Sequence, residues 1–184
     1  MTTLPLKSSN YANALNALIA FCYQYASPKI IDENHVLDGF GKNRSLPPDS
    51  NDYCIVTPIV QTRSGTTVEE WDKVEDVQVL KEYVELDVQI DCYSTNNFDA
   101  MDRAQTYETI ARSSAGVAFF NQFDMDCLYA DGLRNLSSII DDPCYVSRWT
   151  LTLHLGYWKQ VRLGQDFFTS AQVNVDVVDV RFKP

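Results

Sequence analysis

The clearest pattern in the sequence is an alternation of apolar and polar residues over positions 83–93. Valine, leucine, isoleucine and cysteine occupy every second position, and acidic or amide side chains lie between them. A period of two predicts a β-strand with one buried face and one polar face. The same pattern over residues 149–157 predicts a second strand, with His154 on its polar side. A third predicted strand, residues 173–182, changes phase near Val177, as a one-residue β-bulge would cause.

Two other segments repeat apolar residues at the spacing of an α-helix. Residues 10–26 show the i, i+3, i+4, i+7 pattern after polar residues that can cap a helix, which predicts a first helix. A second helix is predicted from Asp99, a capping residue, to about Ser114 or beyond. Gly116 is expected to end or kink this helix, because glycine weakens a helix interior.

The segments between these elements are rich in turn-forming or strand-forming residues. Residues 32–52 contain two glycines and two prolines and are predicted to form a long surface loop. Residues 53–63 are predicted to form a strand, and Pro58 indicates an edge position or a bulge because it has no amide hydrogen to donate. The polar residues 65–76 surround Trp71 and are predicted to form a projecting hairpin or arm whose aromatic side chain another subunit holds.

The order of elements indicates an α+β fold. A short strand is predicted at Leu128 and Tyr129, so a helix and strands are followed by a second helix and then mostly strands. The alternation favours a mainly antiparallel β-sheet packed against two helices. A length of 184 residues and the lack of repeats or linkers predict one domain over residues 1–184.

Charge and composition exclude several function classes. The formal net charge of -10 argues against tight nucleic-acid binding and against docking on anionic membranes, since both require clustered lysine and arginine. No apolar run approaches the roughly 20 residues that span a bilayer. The first ten residues lack the basic and apolar regions of a secretory signal, so synthesis in the cytosol is expected. The five cysteines contain no CxxC pair, which predicts reduced, mostly buried thiols.

The search for chemistry finds one constellation of acidic residues. Glu85, Asp87 and Asp91 are predicted on one strand face, where carboxylates can share a cation. A solvated acidic face explains them more simply, and His35 and His154 lack the spacing of metal-binding motifs. We therefore expect no enzyme and no catalytic, metal or cofactor site. The alternative is a small metal-dependent cytosolic enzyme that uses the three carboxylates and His154.

Four aromatic residues are not assigned to the core by helix or strand periodicity: Trp71, Trp158, Phe167 and Phe168. Exposed aromatic side chains are enriched at protein interfaces, so these residues are candidates for contacts between subunits or rings. Packing in the core of the chain itself is an equally open interpretation for each of them.

Several short sequence features follow one another in a family-specific order. They are Thr57-Pro58, Asp102-Arg103-Ala104-Gln105, Leu128-Tyr129-Ala130-Asp131, Arg148-Trp149-Thr150-Leu151, Gln165-Asp166-Phe167 and Val178-Asp179-Val180-Arg181-Phe182 with Pro184. Together these features resemble the neck or tail terminator (tail-completion) proteins of tailed bacteriophages. The resemblance covers nearly the whole chain.

The resemblance implies a structural virion protein with a tail-terminator-like α+β domain, made in the host cytoplasm. Such proteins form a ring, commonly a hexamer, that terminates the tail tube and joins it to the head connector. The implied partners are copies of the chain itself, the tail tube protein and the head–tail connector. DNA would pass through the ring without specific binding, and Glu85, Asp87 and Asp91 are candidates to line that lumen, because like charge keeps DNA from adhering. Another head–tail connector, stopper or tube-associated protein is the alternative.

Overall fold

Three helices and a set of long strands make up the described part of the chain. The computed structural model describes residues 11–30, 32–41, 52–75, 77–139 and 145–163. Along the chain, the elements are α1 (Tyr11–Tyr25), β1 (Val36–Asp38), β2 (Tyr53–Asp72), β3 (Val77–Ser94), α2 (Asn97–Ala111), α3 (Ser114–Asn121), β4 (Met125–Ala130), β5 (Arg134–Asn135), β6 (Ser138–Ile139) and β7 (Tyr145–Leu163). A single 3-10 turn, Glu33–His35, precedes β1.

The strands form a mainly antiparallel sheet in the order β1-β2-β3-β7-β4. The short strands β5 and β6 also pair with β7, and β1 pairs with β2 in parallel. β2 and β3 are consecutive in sequence, whereas β7 pairs with β3 although α2, α3 and β4 to β6 lie between them in the chain. The predicted α+β class is confirmed.

One face of the sheet packs against the helices and forms the core. The core positions of β3 are the apolar ones of its alternation, and they face the apolar positions of β7 in register, from the pair of Val84 with Tyr157 to the pair of Ile90 with Leu151. From the helix side, the ring of Phe21 stacks on Phe120 at 4.9 Å between ring centroids. The core therefore lies between the sheet and α1, α2 and α3.

The predicted second helix is two helices in the structure. The break falls at Arg112 and Ser113, and the Ser113 side chain caps the new helix α3 by accepting from the Gly116 amide. The prediction that Gly116 ends or kinks the helix was wrong, because the break comes before this residue and Gly116 lies inside α3. A Cβ at this position would lie 2.3 Å from the Ile110 carbonyl oxygen, so glycine permits the close approach of α3 to the end of α2. The cap of α2 is Asn96, not Asp99.

The region around β1 and β2 differs from the prediction at both ends. The predicted loop 32–52 begins with the 3-10 turn and β1, and residues 42–51 lie outside the described residues. The register between β2 and β3 shifts between Pro58 and Val60, so the predicted bulge is present. Its position follows from the chemistry of proline, which cannot donate a ladder hydrogen bond. The predicted strand 173–182 lies outside the described residues.

Four cysteines within the described residues are free thiols. Cys22, Cys54 and Cys92 are buried, and Cys127 is half-buried. Burial raises the pKa values of Cys22 and Cys92, so these two side chains are neutral at physiological pH. They act as small core residues, as predicted, and Cys144 lies outside the described residues.

No helix in the described part of the chain has both the length and the apolar character required to cross a bilayer.

Candidate assembly surface

The sheet face opposite the helices carries the three carboxylates singled out in the sequence. Glu85, Asp87 and Asp91 alternate with the core residues of β3, so all three lie on this outer face. They differ in exposure, because Glu85 and Asp87 are half-buried whereas Asp91 is only 4% exposed. We therefore consider their partners separately.

Asp91 is held by two side chains and is not a solvated charge. Arg148 Nε on β7 donates to Asp91 Oδ1 at 3.1 Å, and Gln89 Nε2 donates to Asp91 Oδ2 at 2.8 Å. The hydrogen bond to Asp91 is the largest cause that raises the pKa of Arg148, so this guanidinium stays charged. The Arg148 guanidinium also lies 5.6 Å from the ring centre of Tyr93, which stacks on Tyr53. The expectation of a solvated acidic face was wrong at this position.

Asp87 contacts the histidine on the neighbouring strand. His154 Nδ1 lies 2.6 Å from Asp87 Oδ1, and His154 Nε2 lies 3.4 Å from Asp131 Oδ2. The Tyr129 ring stacks on the imidazole with 3.9 Å between ring centroids. The histidine thus joins β3, β7 and the end of β4, which is a structural role at the edge of the sheet.

The geometry gives little support to the alternative of a metal-dependent enzyme. Asp87 is engaged by His154 and Asp91 by Arg148, and the described residues contain no group of three or more His, Cys, Asp or Glu side chains placed to hold a metal ion. His35 lies in the 3-10 turn before β1, remote in sequence from this face. The outer face is therefore described best as a packed polar surface.

Beyond the helix-covered region, three strands continue as a projection that we call the arm. It consists of residues 60–72 of β2, 77–83 of β3 and 158–163 of β7. The β2 side chains from 59 to 71 are all exposed, whereas the first part of the same strand alternates between buried and half-buried. The last pair between β4 and β7 joins Met125 to Tyr157, so β4 does not extend along the arm. The predicted projecting hairpin is therefore present, and β7 adds a third strand to it.

Charged side chains link the three strands of the arm. Lys81 pairs with Glu70 across β2 and β3, and Glu82 contacts both Lys159 at 3.3 Å and Arg63 at 3.6 Å. Near the hairpin turn, Arg162 pairs with Glu75 and Gln78 donates to Glu69 at 2.9 Å. Ion pairs at exposed sites are individually weak, so backbone hydrogen bonds between the strands are the main interaction that orders the arm.

Both tryptophans predicted as interface residues lie on the arm. Trp71 is 36% exposed and Trp158 is 46% exposed. Trp158 packs edge-on against Tyr83 at 5.3 Å between ring centroids and lines a pocket with Val68 and Lys81. Phe167 and Phe168 lie outside the described residues. A role of any of these aromatic residues in an interface remains a prediction.

Sequence reasoning grouped His154 with the three carboxylates in the enzyme alternative, but it missed Arg148 as the partner of Asp91 and missed the two other neighbours of His154. Arg148 is paired directly with Tyr93 in the β3–β7 register, and Tyr129 is paired with His154 across β4 and β7. Asp131, the other neighbour of His154, follows directly after β4, and its amide donates to the Thr152 carbonyl on β7 at 2.8 Å. The only signal in the sequence was the phase of the alternation around residue 149, which puts Arg148 on the polar side. Which strand would lie beside β7 could not be read from that phase.

Comparison with known proteins decides the family. A family model described as phage neck terminator protein matches residues 16–183, which is nearly the whole chain. The chain belongs to the phage neck terminator family. No curated protein matches the sequence.

Membership of the neck terminator family makes this chain a structural phage protein. It implies a place in the virion and association with other tail and neck proteins. On the outer face of the sheet, Asp91 is paired with Arg148 and Asp87 with His154.

Proposed function

We propose that this neck terminator forms a hexameric ring that closes the tail tube and joins it to the head connector, with the arm as the main contact between subunits. The arm is the observation that carries the proposal. Its side chains on β2 are exposed on both faces, including Val60, Val68 and Trp71, and Val74 at the hairpin turn is 94% exposed. An exposed, partly apolar β-projection is typical of a surface that a partner covers.

The orientation of the sheet in the ring follows from its two faces. The helices cover the apolar face, so we place them on the outside and turn the polar face toward the lumen. This face carries more carboxylates than basic groups: Glu85, Asp87, Asp91, Asp126 and Asp131, against Arg134, Arg148 and His154. An acidic lining repels the phosphates of DNA, so the polymer can pass without adhering.

The proposed neighbours are the tail tube protein on one side and the head–tail connector on the other. The chain carries a net charge of -10, so its contacts with these proteins are expected to depend on matching basic or neutral surfaces rather than on nucleic acid. The same ring would also receive the genome-filled head at the end of assembly. No reaction is required for any of these steps.

A variant without most of the arm tests the proposal. Replacing residues 65–82 with Asn-Gly would close a tight hairpin on the cross-strand pair Ser64 and Tyr83. We expect this variant to fold but to remain a monomer, and to leave heads and tails unjoined when it is supplied to a phage that lacks the gene. Mass photometry would measure the oligomer, and electron microscopy would count joined particles.

The matched control keeps the arm and changes an exposed charge elsewhere, Lys29→Ala, which should behave like the unmodified protein. Circular dichroism would verify that both variants are folded. Joined particles at normal numbers with the armless variant would refute the proposed role of the arm. Joined particles in the complete absence of the gene product would refute the neck function itself.

A further inference from the structure

Two cysteine side chains meet in the core on adjacent strands. Cys54 on β2 and Cys92 on β3 are direct partners in the antiparallel register, and both are fully buried. Their Sγ atoms lie 3.6 Å apart. Directly opposed residues of antiparallel strands have Cα atoms about 4.5–5.5 Å apart, inside the range of about 4.4–6.8 Å that a disulfide spans. A bond between the two sulfur atoms therefore requires rotation of the side chains but no movement of the strands.

A buried arginine holds the two strand ends beside these thiols. The Arg103 guanidinium donates through Nη2 to Asp52 Oδ1 at 3.4 Å and through Nη1 to the Tyr93 carbonyl at 3.3 Å. Asp52 lies two residues before Cys54, and Tyr93 directly follows Cys92. The Arg103 side chain is only 1% exposed, so this contact is part of the core. It keeps β2 and β3 in the register that places the two sulfur atoms side by side.

The two thiols differ in how readily they ionise. Burial opposes ionisation of Cys54, but a hydrogen bond from Cys92 and the positive charge of Arg103 outweigh burial and lower the pKa of Cys54. Burial raises the pKa of Cys92. Because the thiolate is the form that attacks an oxidant, Cys54 is suited to react first and Cys92 to react second.

We propose that Cys54 and Cys92 form a redox site, with two free thiols in the host cytoplasm and a disulfide once the virion is outside the cell and meets peroxide. The inference uses the place in the virion that the family implies and does not rest on the hexameric ring. Thiols stay reduced in the cytosol, whereas disulfides persist on the surfaces of virions and in other oxidising surroundings.

The reaction balances with hydrogen peroxide as the oxidant. The Cys54 thiolate attacks one peroxide oxygen, the O–O bond breaks, and the hydroxide that leaves takes up the proton lost by Cys54 to give water. Cys54 is then a sulfenic acid. The Cys92 sulfur attacks the Cys54 sulfur, the S–O bond breaks, and the hydroxyl group leaves with the Cys92 proton as a second water. The two thiols have lost two electrons, and the peroxide has gained them.

The disulfide would close the β2–β3 hairpin at its base. Cys54 and Cys92 are 38 residues apart in sequence, and the β2 and β3 parts of the arm lie within the loop that they close. A cross-link across a loop of this length restricts the unfolded chain, so the oxidised protein should unfold about 10 °C above the reduced protein. Thermal unfolding with and without dithiothreitol would measure the shift, and equal unfolding temperatures would refute the closure of the hairpin.

Peptide mapping of the full chain tests the site directly. The purified protein is treated with hydrogen peroxide, unfolded, alkylated and digested without reductant. We expect a linked pair of peptides that contain Cys54 and Cys92, a loss of two alkylated thiols, and recovery of both thiols after dithiothreitol. Virions collected from the medium should contain the same linked pair. Protein from infected cells lysed directly into the alkylating reagent should not.

Two alanine variants test the order of the two steps. Cys92→Ala leaves Cys54 without a second thiol, so the sulfenic acid should persist at Cys54 and react with dimedone. Cys54→Ala should give at least about tenfold less dimedone adduct at Cys92. The matched control, Cys22→Ala, removes an equally buried thiol near Cys54 and should leave the disulfide intact. Circular dichroism would establish that each variant is folded.

Three outcomes of the mapping would overturn the redox site. They are free Cys54 and Cys92 in peroxide-treated protein or in released virions, a linked peptide that joins Cys54 to Cys22, and a Cys54–Cys92 bond already present inside the cell. The mapping uses the unmodified chain, so its result stands even where a variant fails to fold. Particle completion tests the neck function separately, and none of these three outcomes changes that test.

Discussion

Each of the strands β2, β3 and β7 has one half covered by the helices and one half in the arm. Burial against the helices holds the first half in place, whereas many side chains of the second half are accessible to a partner. In the helix-covered half, every second residue of β3 from Val84 to Cys92 is buried. In the arm, residues 59–71 of β2 are exposed on both faces. The secondary structure is the same in both halves, but the source of its stability is not.

Burial and surface pairing differ in magnitude. Covering one large apolar side chain contributes about 1.5–3 kcal/mol, whereas an exposed ion pair such as Lys81 with Glu70 contributes about 0–1 kcal/mol. The core half is therefore stable through its own packing. The arm is ordered mainly by strand pairing and remains free to gain stability from a partner.

The largest expected effect separates the two halves directly. Phe120 is fully buried and stacks on Phe21, so Phe120→Ala should lower the free energy of unfolding by about 3–5 kcal/mol. Trp71→Ala on the arm removes a partly exposed side chain and should cost less than about 1.5 kcal/mol in the isolated protein. Urea unfolding of both variants would measure the difference. Equal losses would show that the arm is part of the core.

An intermediate effect is expected on the outer face of the helix-covered half. Asp91→Ala leaves the Arg148 guanidinium without its carboxylate and should cost about 1.5–3 kcal/mol, toward the lower end because Arg148 is 35% exposed. Combining it with Arg148→Ala in a double-mutant cycle should give a coupling of about 0.5–2 kcal/mol. A coupling near zero would contradict the structural role assigned to the pair.

The smallest effect is expected from the matching pair on the arm. Glu70→Gln removes the ion pair with Lys81 at an exposed site, so we expect a change of less than about 1 kcal/mol that shrinks further at high salt. Thermal unfolding at low and high ionic strength would measure it. A loss as large as that of Asp91→Ala would remove the distinction drawn between the two halves.

Hydrophobic periodicity predicted correctly the elements in which one face is buried and the other is exposed. The alternation over 83–93 identified the centre of β3 and its two faces, and the helical spacing over 10–26 identified α1 to within a residue or two. In these segments one side is buried and the other is exposed to solvent, so the period of the apolar residues identifies both the type of element and its buried face. The resemblance to terminator proteins is confirmed by the family match.

The contacts between distant residues and the full length of each strand could not be predicted from periodicity and are known from the folded chain. Asp91 and Arg148 are 57 residues apart in sequence, and the order β3-β7 that joins them cannot be derived from either strand alone. The β2 residues of the arm do not alternate between apolar and polar, because side chains on both faces of this part of the strand are exposed. Periodicity reflects the burial of one face, so a strand whose two faces are both exposed shows no alternation of apolar and polar residues.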